Sequence, residues 1–258
     1  MKTALPLSAA AEKVLAQHQS QRLRRRTVLL VLALACALAL ALDAATGPSA
    51  MPAWRVVTGI VRPDLLSPAE AAIVWQIRLP HALTAILVGA ALALSGAEMQ
   101  TVLNNPLASP FTLGVSSAAS FGASLAIVLG LGLPFVPADA VVALNGFVFA
   151  FGSVLLLQAM ARARRGGVQS IVLFGIALVF AFNALTALVQ FVASQEALQQ
   201  LVFWTMGSLS RASWRSVAAM ALVLAVAAPF SWAAARTLTA LRLGEDRAAS
   251  AGVAAAAR

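Results

Sequence analysis

The stretch RLPHALTAILVGAALALSGAEMQTVLNNPLASPFTLGVSSAASFG, Arg78 to Gly122, decides how the rest of the chain is read. A long apolar run is followed by a polar turn broken by Pro106 and Pro110, and then by an apolar run rich in Gly, Ser and Ala. Proline removes a backbone donor and drives the preceding residue away from the helical region, so the turn ends one helix and delays the next. Two apolar helices joined by so short a polar break suit a bilayer better than a soluble core.

The whole chain agrees with this reading. Of its 258 residues, 61% are hydrophobic and 10% are charged, against roughly 25% charged in soluble domains. The mean hydropathy is +0.89. A spanning helix needs about 20 apolar residues, and six runs qualify. They are Thr27–Ala45, Pro80–Leu103, Thr112–Leu133, Ala140–Ala161, Val168–Ala193 and Ser213–Ala235. The fold class expected is therefore an all-α, polytopic membrane helix bundle. It has a basic N-terminal segment over residues 1–26, a membrane domain over 27–240 and a cytoplasmic end over 241–258. The first run follows Arg22, Arg24, Arg25 and Arg26 without a clean cleavage site, and reads as an anchor. The lone Cys36 sits in that run and can form no intrachain disulfide.

The net charge of +9 is distributed unevenly. Placing the N-terminus in the cytoplasm puts Arg22 to Arg26, Arg162, Arg164, Arg165, Arg236, Arg242 and Arg247 on that side. Arg55, Arg62, Arg78, Arg211 and Arg215 are then left outside. Excess basic residues in cytoplasmic segments set orientation. Two outer segments read as more than connectors. The first, Asp43 to Gln76, carries Trp54 and Trp75. The second, Gln195 to Arg211, has Glu196, Leu198, Leu201 and Trp204 spaced as a short amphipathic helix that Gly207 ends.

Several polar or small positions recur at helical spacing. Gly114, Ala118 and Gly122 share one face of the third run, and Ser116, Ser120 and Ser124 another. Small residues let helix backbones approach, and the serines either pack or wall a polar path. Gly89, Ala93 and Gly96 repeat the theme in the second run. In the fifth, Asn183, Thr186 and Gln190 share a face that must meet protein or water, through interhelical hydrogen bonds or along a path. Glu98 is the acid within a run, near its cytoplasmic end, and His81 starts that run. Two distant histidines give no metal cluster. No phosphate-binding glycine loop, nucleophile elbow or zinc-binding helix motif is present, so nothing in the chain can hydrolyse ATP, and any energy source lies on another chain or is an ion gradient.

Particular wording then resembles a known family. Arg78-Leu79-Pro80, Gly89 to Ala93, Ser95-Gly96, Gln100, Asn105 to Pro110 and Leu113 to Ser116 are similar to the FecCD-type ABC permeases. So are Phe203 to Leu209 and Leu243 to Val253, in the same order. The resemblance covers about Arg78 to Val253. It implies an importer subunit for ferric siderophores, haem or vitamin B12, in the bacterial inner membrane. A second permease subunit, a periplasmic substrate-binding protein and two cytoplasmic ATPase subunits complete such a system. ATP is used by the ATPase subunits, and this chain itself binds no cofactor. Gly244, Glu245, Asp246, Arg247 and Gly252 resemble the segment that docks into the ATPase. The fifth helix lines the path in the family, which favours Asn183, Thr186 and Gln190, with Ser116 and Ser120 beside them. Arg55 and Arg62 lie where family members meet acidic groups of the binding protein. The wording around Gly96-Ala97-Glu98-Met99-Gln100 resembles iron-carrying members, which favours a ferric siderophore over haem or vitamin B12. An ion-coupled secondary transporter using Glu98 is a rival reading. The family has ten spans where this chain has six, so the resemblance also implies a truncated product or one completed by another chain.

Overall fold

The computed structural model describes residues 9–45, 51–132, 136–163 and 167–241. The ATPase-docking wording at Gly244, Glu245, Asp246, Arg247 and Gly252 lies outside the described residues. Among the described residues the helices are α1 (Ala9–Ala45), α2 (Ala53–Val61), α3 (Pro68–Ala72), α4 (Leu79–Val102), α5 (Val115–Leu129), α6 (Ala138–Ala163), α7 (Gly167–Phe191), α8 (Gln195–Met206) and α9 (Trp214–Leu241). A 3₁₀ turn, Pro63–Leu65, and a π-helical segment, Ile73–Arg78, complete the set, and no strand occurs among the described residues. The chain is a polytopic helical membrane bundle. Among the described residues, five continuous helical stretches are long and apolar enough to cross a membrane: Gln19–Asp43, Pro68–Val102, Ala140–Arg162, Val168–Phe191 and Trp214–Ala235.

The sixth expected run, Thr112–Leu133, is a shorter helix than its apolar length implied. α5 has 15 residues, about 22 Å at 1.5 Å per residue. Glycines stop it at both ends. Gly114 at φ 82° and Gly130 at φ 65° take the left-handed conformation, which costs glycine least. α1 differs in the other direction. It starts at Ala9 and carries Arg22 to Arg26 inside the helix, because Ala, Glu, Lys, Gln, Leu and Arg all favour helix.

The chain divides into two compact units. In the first, Met1–Leu83, α2 and the π-helical segment pack through Val56 and Val74, which are 1% and 0% exposed. The Trp75 indole N–H donates to the Gly59 carbonyl at 3.2 Å. Ser67 caps α3 in a reciprocal box with Glu70, which satisfies amide donors that the first helical turn leaves open. His81 at the start of α4 meets Asp43 at the end of α1, Nδ1 to Oδ2 3.1 Å.

In the second unit, Thr84–Arg258, α5 is the centre. It packs most extensively on α6, then on α7, and also touches α8. The contacts run through small residues. A Cβ added at Gly122 would lie 2.6 Å from the Asn145 carbonyl oxygen of α6. One added at Gly175 of α7 would lie 2.8 Å from Leu113. Helices in lipid gain their association energy from such close backbone approach. Phe121 of α5 adds an edge-on contact with Phe149 of α6, centroids 5.3 Å apart. α8 is the short outer helix expected from its spacing. Ser194 Oγ accepts from the Ala197 amide at 3.2 Å, Gly207 ends the helix, Leu201 is fully buried and Trp204 half-buried. Hydrogen bonds from its own backbone amide and from Ser194 hold the Glu196 carboxyl below the usual range.

Candidate functional site

The turn from Leu103 to Gly114 is built to close its own polar groups. Asn104 takes φ 43°, a conformation asparagine tolerates better than most residues. The Asn105 amide donates to the Gln100 carbonyl at 3.1 Å, and Asn105 Oδ1 accepts from the Leu107 amide at 2.9 Å. Ser109 and Thr112 exchange bonds: the Ser109 amide donates to Thr112 Oγ1 at 2.9 Å, and the Thr112 amide to Ser109 Oγ at 3.2 Å. Irregular backbone at membrane depth survives only where such groups find partners. The apolar residues between these bonds turn inward. Leu103, Ala108 and Leu113 form a buried cluster with Leu157 of α6, against Ile171, Phe174 and Leu178 of α7. The two prolines thus break α4 while the residues around them anchor the break to α6 and α7.

That anchoring opens a cleft between the end of α4 and the start of α5. Gly96 and Gln100 line it from one side, Ser109, Pro110 and Phe111 from the turn, and Ser116 from α5. The motif residues picked out in the sequence therefore converge in space. A second basin is lined by Phe203, Trp204, Gly207 and Arg211 of the outer segment, with Val142 of α6 and Ser216 of α9. Trp204 lies close over Gly146 of α6, where a Cβ would stand 3.3 Å from its ring.

The chain matches the model of the FecCD transport family over residues 29–257. This protein belongs to that family. It is 36% identical over 188 residues to an ABC transporter permease protein of Methanocaldococcus jannaschii, covering 70% of this chain and 54% of that one. It is 38% identical over 189 residues to the vitamin B12 import system permease protein BtuC of Vibrio vulnificus, covering 73% and 56%. It is 34% identical over 154 residues to the molybdate import system permease protein MolB of Haemophilus influenzae, covering 59% and 44%. The chain thus spans about half the length of these relatives. Among solved structures, a metal-chelate type ABC transporter in an inward-facing conformation superposes with a TM-score of 0.72 at 28% identity, covering 89% of this chain and 68% of the other. These relatives are permeases, components that move a solute rather than transform one.

Within this FecCD chain the sequence-selected residues fall in different surroundings. Ser116 and Ser120 are half-buried, with Ser116 on the cleft, whereas Ser124 is buried and its hydroxyl donates to the Phe121 carbonyl at 2.7 Å. On α7, Asn183 is exposed, Gln190 half-buried and Thr186 buried. The Thr186 hydroxyl donates to the Phe182 carbonyl at 2.8 Å, so its donor is used within its own helix. Arg55 is engaged by Glu70, Nε to Oε1 2.7 Å, and the Glu70 carboxylate also accepts from the Ser67 amide at 2.9 Å. Arg62 is exposed. Sequence reasoning passed over two buried polar residues of α6, Asn145 and Ser153, which are 7% and 1% exposed. Asn145 Nδ2 donates to the Leu131 carbonyl at 2.7 Å, just past the end of α5. The signal was present: Asn145, Ser153 and Gln158 are the polar side chains of an otherwise apolar run.

Proposed function

We propose that this chain is the membrane-spanning subunit of an ATP-driven importer in the bacterial inner membrane, carrying a metal chelate, first of all a ferric siderophore. The match to the FecCD transport family across residues 29–257 carries the reading. The N-terminus lies in the cytoplasm, a placement that the crowding of arginines at Arg22 to Arg26 and Arg162 to Arg165 supports. A second permease subunit completes the path, a periplasmic binding protein delivers the chelate, and two ATPase subunits hydrolyse ATP. Asn183 and Gln190 on α7, with Ser116 and Ser120 on α5, face the solute. Thr186 holds the α7 backbone between them. Gly244 to Gly252 docks into the ATPase. Arg62, which is exposed, meets acidic groups of the binding protein, and Arg55 joins it by exchanging Glu70 for them.

Vitamin B12 and haem are the competing substrates, the first because BtuC proteins are among the relatives. Uptake of radiolabelled ferric siderophore, cobalamin and haem decides among them in cells expressing the chain together with an ATPase and a binding protein of this importer class. Siderophore uptake at least tenfold above cells lacking the chain is expected. Uptake of cobalamin or haem alone reassigns the substrate, and uptake that persists without any ATPase subunit overturns the mechanism. Deleting residues 244–252 is expected to abolish co-purification with the ATPase; undiminished association removes the docking assignment.

A further inference from the structure

We propose that Arg22, Arg24, Arg25 and Arg26 form a collar on α1 that binds the phosphates of anionic phospholipids in the leaflet at that end of the helix. α1 runs unbroken from Ala9 to Ala45, so the four arginines are held at helical positions. Their depth is set by length. The sixteen residues Thr27 to Leu42 carry no charge and span about 24 Å, against about 30 Å of hydrocarbon. The far end is polar as well: Asp43 meets His81, Nδ1 to Oδ2 3.1 Å. A span this short draws both charged ends to the hydrocarbon boundary, so Arg25 and Arg26 cannot stand clear of the headgroups in water. From Arg22 to Arg26 the helix rises about 6 Å, close to the depth of one headgroup layer.

Helical spacing also spreads the arginines around the axis. Arg22, Arg25 and Arg26 share one side of α1, and Arg24 falls on the opposite one. A packed helix covers a stripe roughly 100° wide, so no single neighbour covers all four. α1 carries no acid between Glu12 and Asp43, so none of the arginines has a carboxylate three or four residues away on its own helix. A guanidinium presents five donors in a plane that matches two phosphate oxygens at once, and its stem can lie along apolar surface. Val28 and Leu29 follow Arg24 and Arg25 by four residues and line one groove with them. Headgroup donors and a seat for the acyl chain are thus side by side on this helix. Setting the orientation of a span needs only an excess of positive charge on one side. A ring of guanidinium groups at the boundary also selects lipid, because a zwitterionic headgroup carries its own cation beside the phosphate and an anionic one does not.

The test uses the full chain in vesicles of phosphatidylglycerol and phosphatidylcholine in equal parts, one of the two spin-labelled near the top of its acyl chains. A fluorophore on L29C, in a C36S background, reports which lipid sits beside the collar through its quenching. Phosphatidylglycerol should associate there about fivefold more strongly than phosphatidylcholine, the worth of one basic group at an anionic surface. The same fluorophore on L38C, toward the other end of α1, should show a smaller preference. Raising salt to about 1 M should shrink the preference at position 29. R24Q/R25Q should at least halve it, and R24K/R25K, which keeps the charge, should retain most of it. Equal quenching by the two lipids at position 29, a preference as large at position 38, or one untouched by salt and by R24Q/R25Q overturns the proposal. A preference that vanishes when the ATPase subunits are added also overturns it, since the collar would then belong to an acidic protein surface.

Discussion

α5 and the part of α4 beyond Thr84 carry the same sequence device, small residues three or four positions apart, and the fold uses it in two ways. On α5, Gly114 and Gly122 are buried and Ala118 is fully covered, and a Cβ at either glycine would press on α7 or α6. On α4, a Cβ at Gly89 or Gly96 would meet nothing within 4 Å. One stripe is filled by neighbours within this chain, and the other is a surface that the described residues leave open. Small-residue spacing states that a helix can be approached closely. Which helix approaches is decided elsewhere, here by α6 and α7 offering Asn145, Phe149, Gly175 and Leu178 to α5.

The largest effect should come from forcing bulk into the filled stripe. Gly122→Val has its new side chain directed at a backbone carbonyl and at Phe149, and should cost about 3 kcal/mol, read as loss of folded protein in detergent thermal melts. A melt like that of the native chain would mean α5 and α6 are not interlocked. Gly114→Ala comes next, at about 2 kcal/mol, because an alanine must hold φ 82° while its Cβ stands 3.0 Å from Leu178. Asn145→Ala removes the donor to Leu131 at 2.7 Å and should cost about 1 kcal/mol; Asn145→Asp, which cannot donate when ionised, should not rescue it. Smallest is Gly96→Ala, within about 0.5 kcal/mol of the native chain. Destabilisation as large as that of Gly122→Val would show α4 packed as tightly as α5 and dissolve the contrast.

Much of this was legible in the chain of letters. The long apolar runs, the double-proline turn and the Ser194-to-Gly207 helix all follow from local chemistry: length, missing donors, a capping hydroxyl, a glycine that can turn left. The family was legible because its wording clusters where α4, the turn and α5 meet. What was hidden depends on partners distant in sequence. Arg55 could be read as a free outer charge, since nothing local announces that Glu70, 15 residues on, is held by Ser67 at the right place to meet it. Asn183, Thr186 and Gln190 share a helical face by spacing, yet a face can straddle the edge of a bundle, which leaves Asn183 outside and Thr186 within. The length of α5 was overestimated for a related reason: apolar letters continue past Gly130, and hydropathy does not register that a glycine has changed hand.

That early stop has a thermodynamic consequence for the lipid around the protein. A helix of about 22 Å falls roughly 8 Å short of a hydrocarbon layer about 30 Å thick, and a bilayer touching it would thin to match, at a cost for each ångström. α5 offsets part of that cost by packing on α6, α7 and α8, so part of its mismatch is met by protein. The Asn145 amide, bonded to the carbonyl of Leu131, stands in for part of the helical turn that α5 lacks, and the membrane need not bend to supply it.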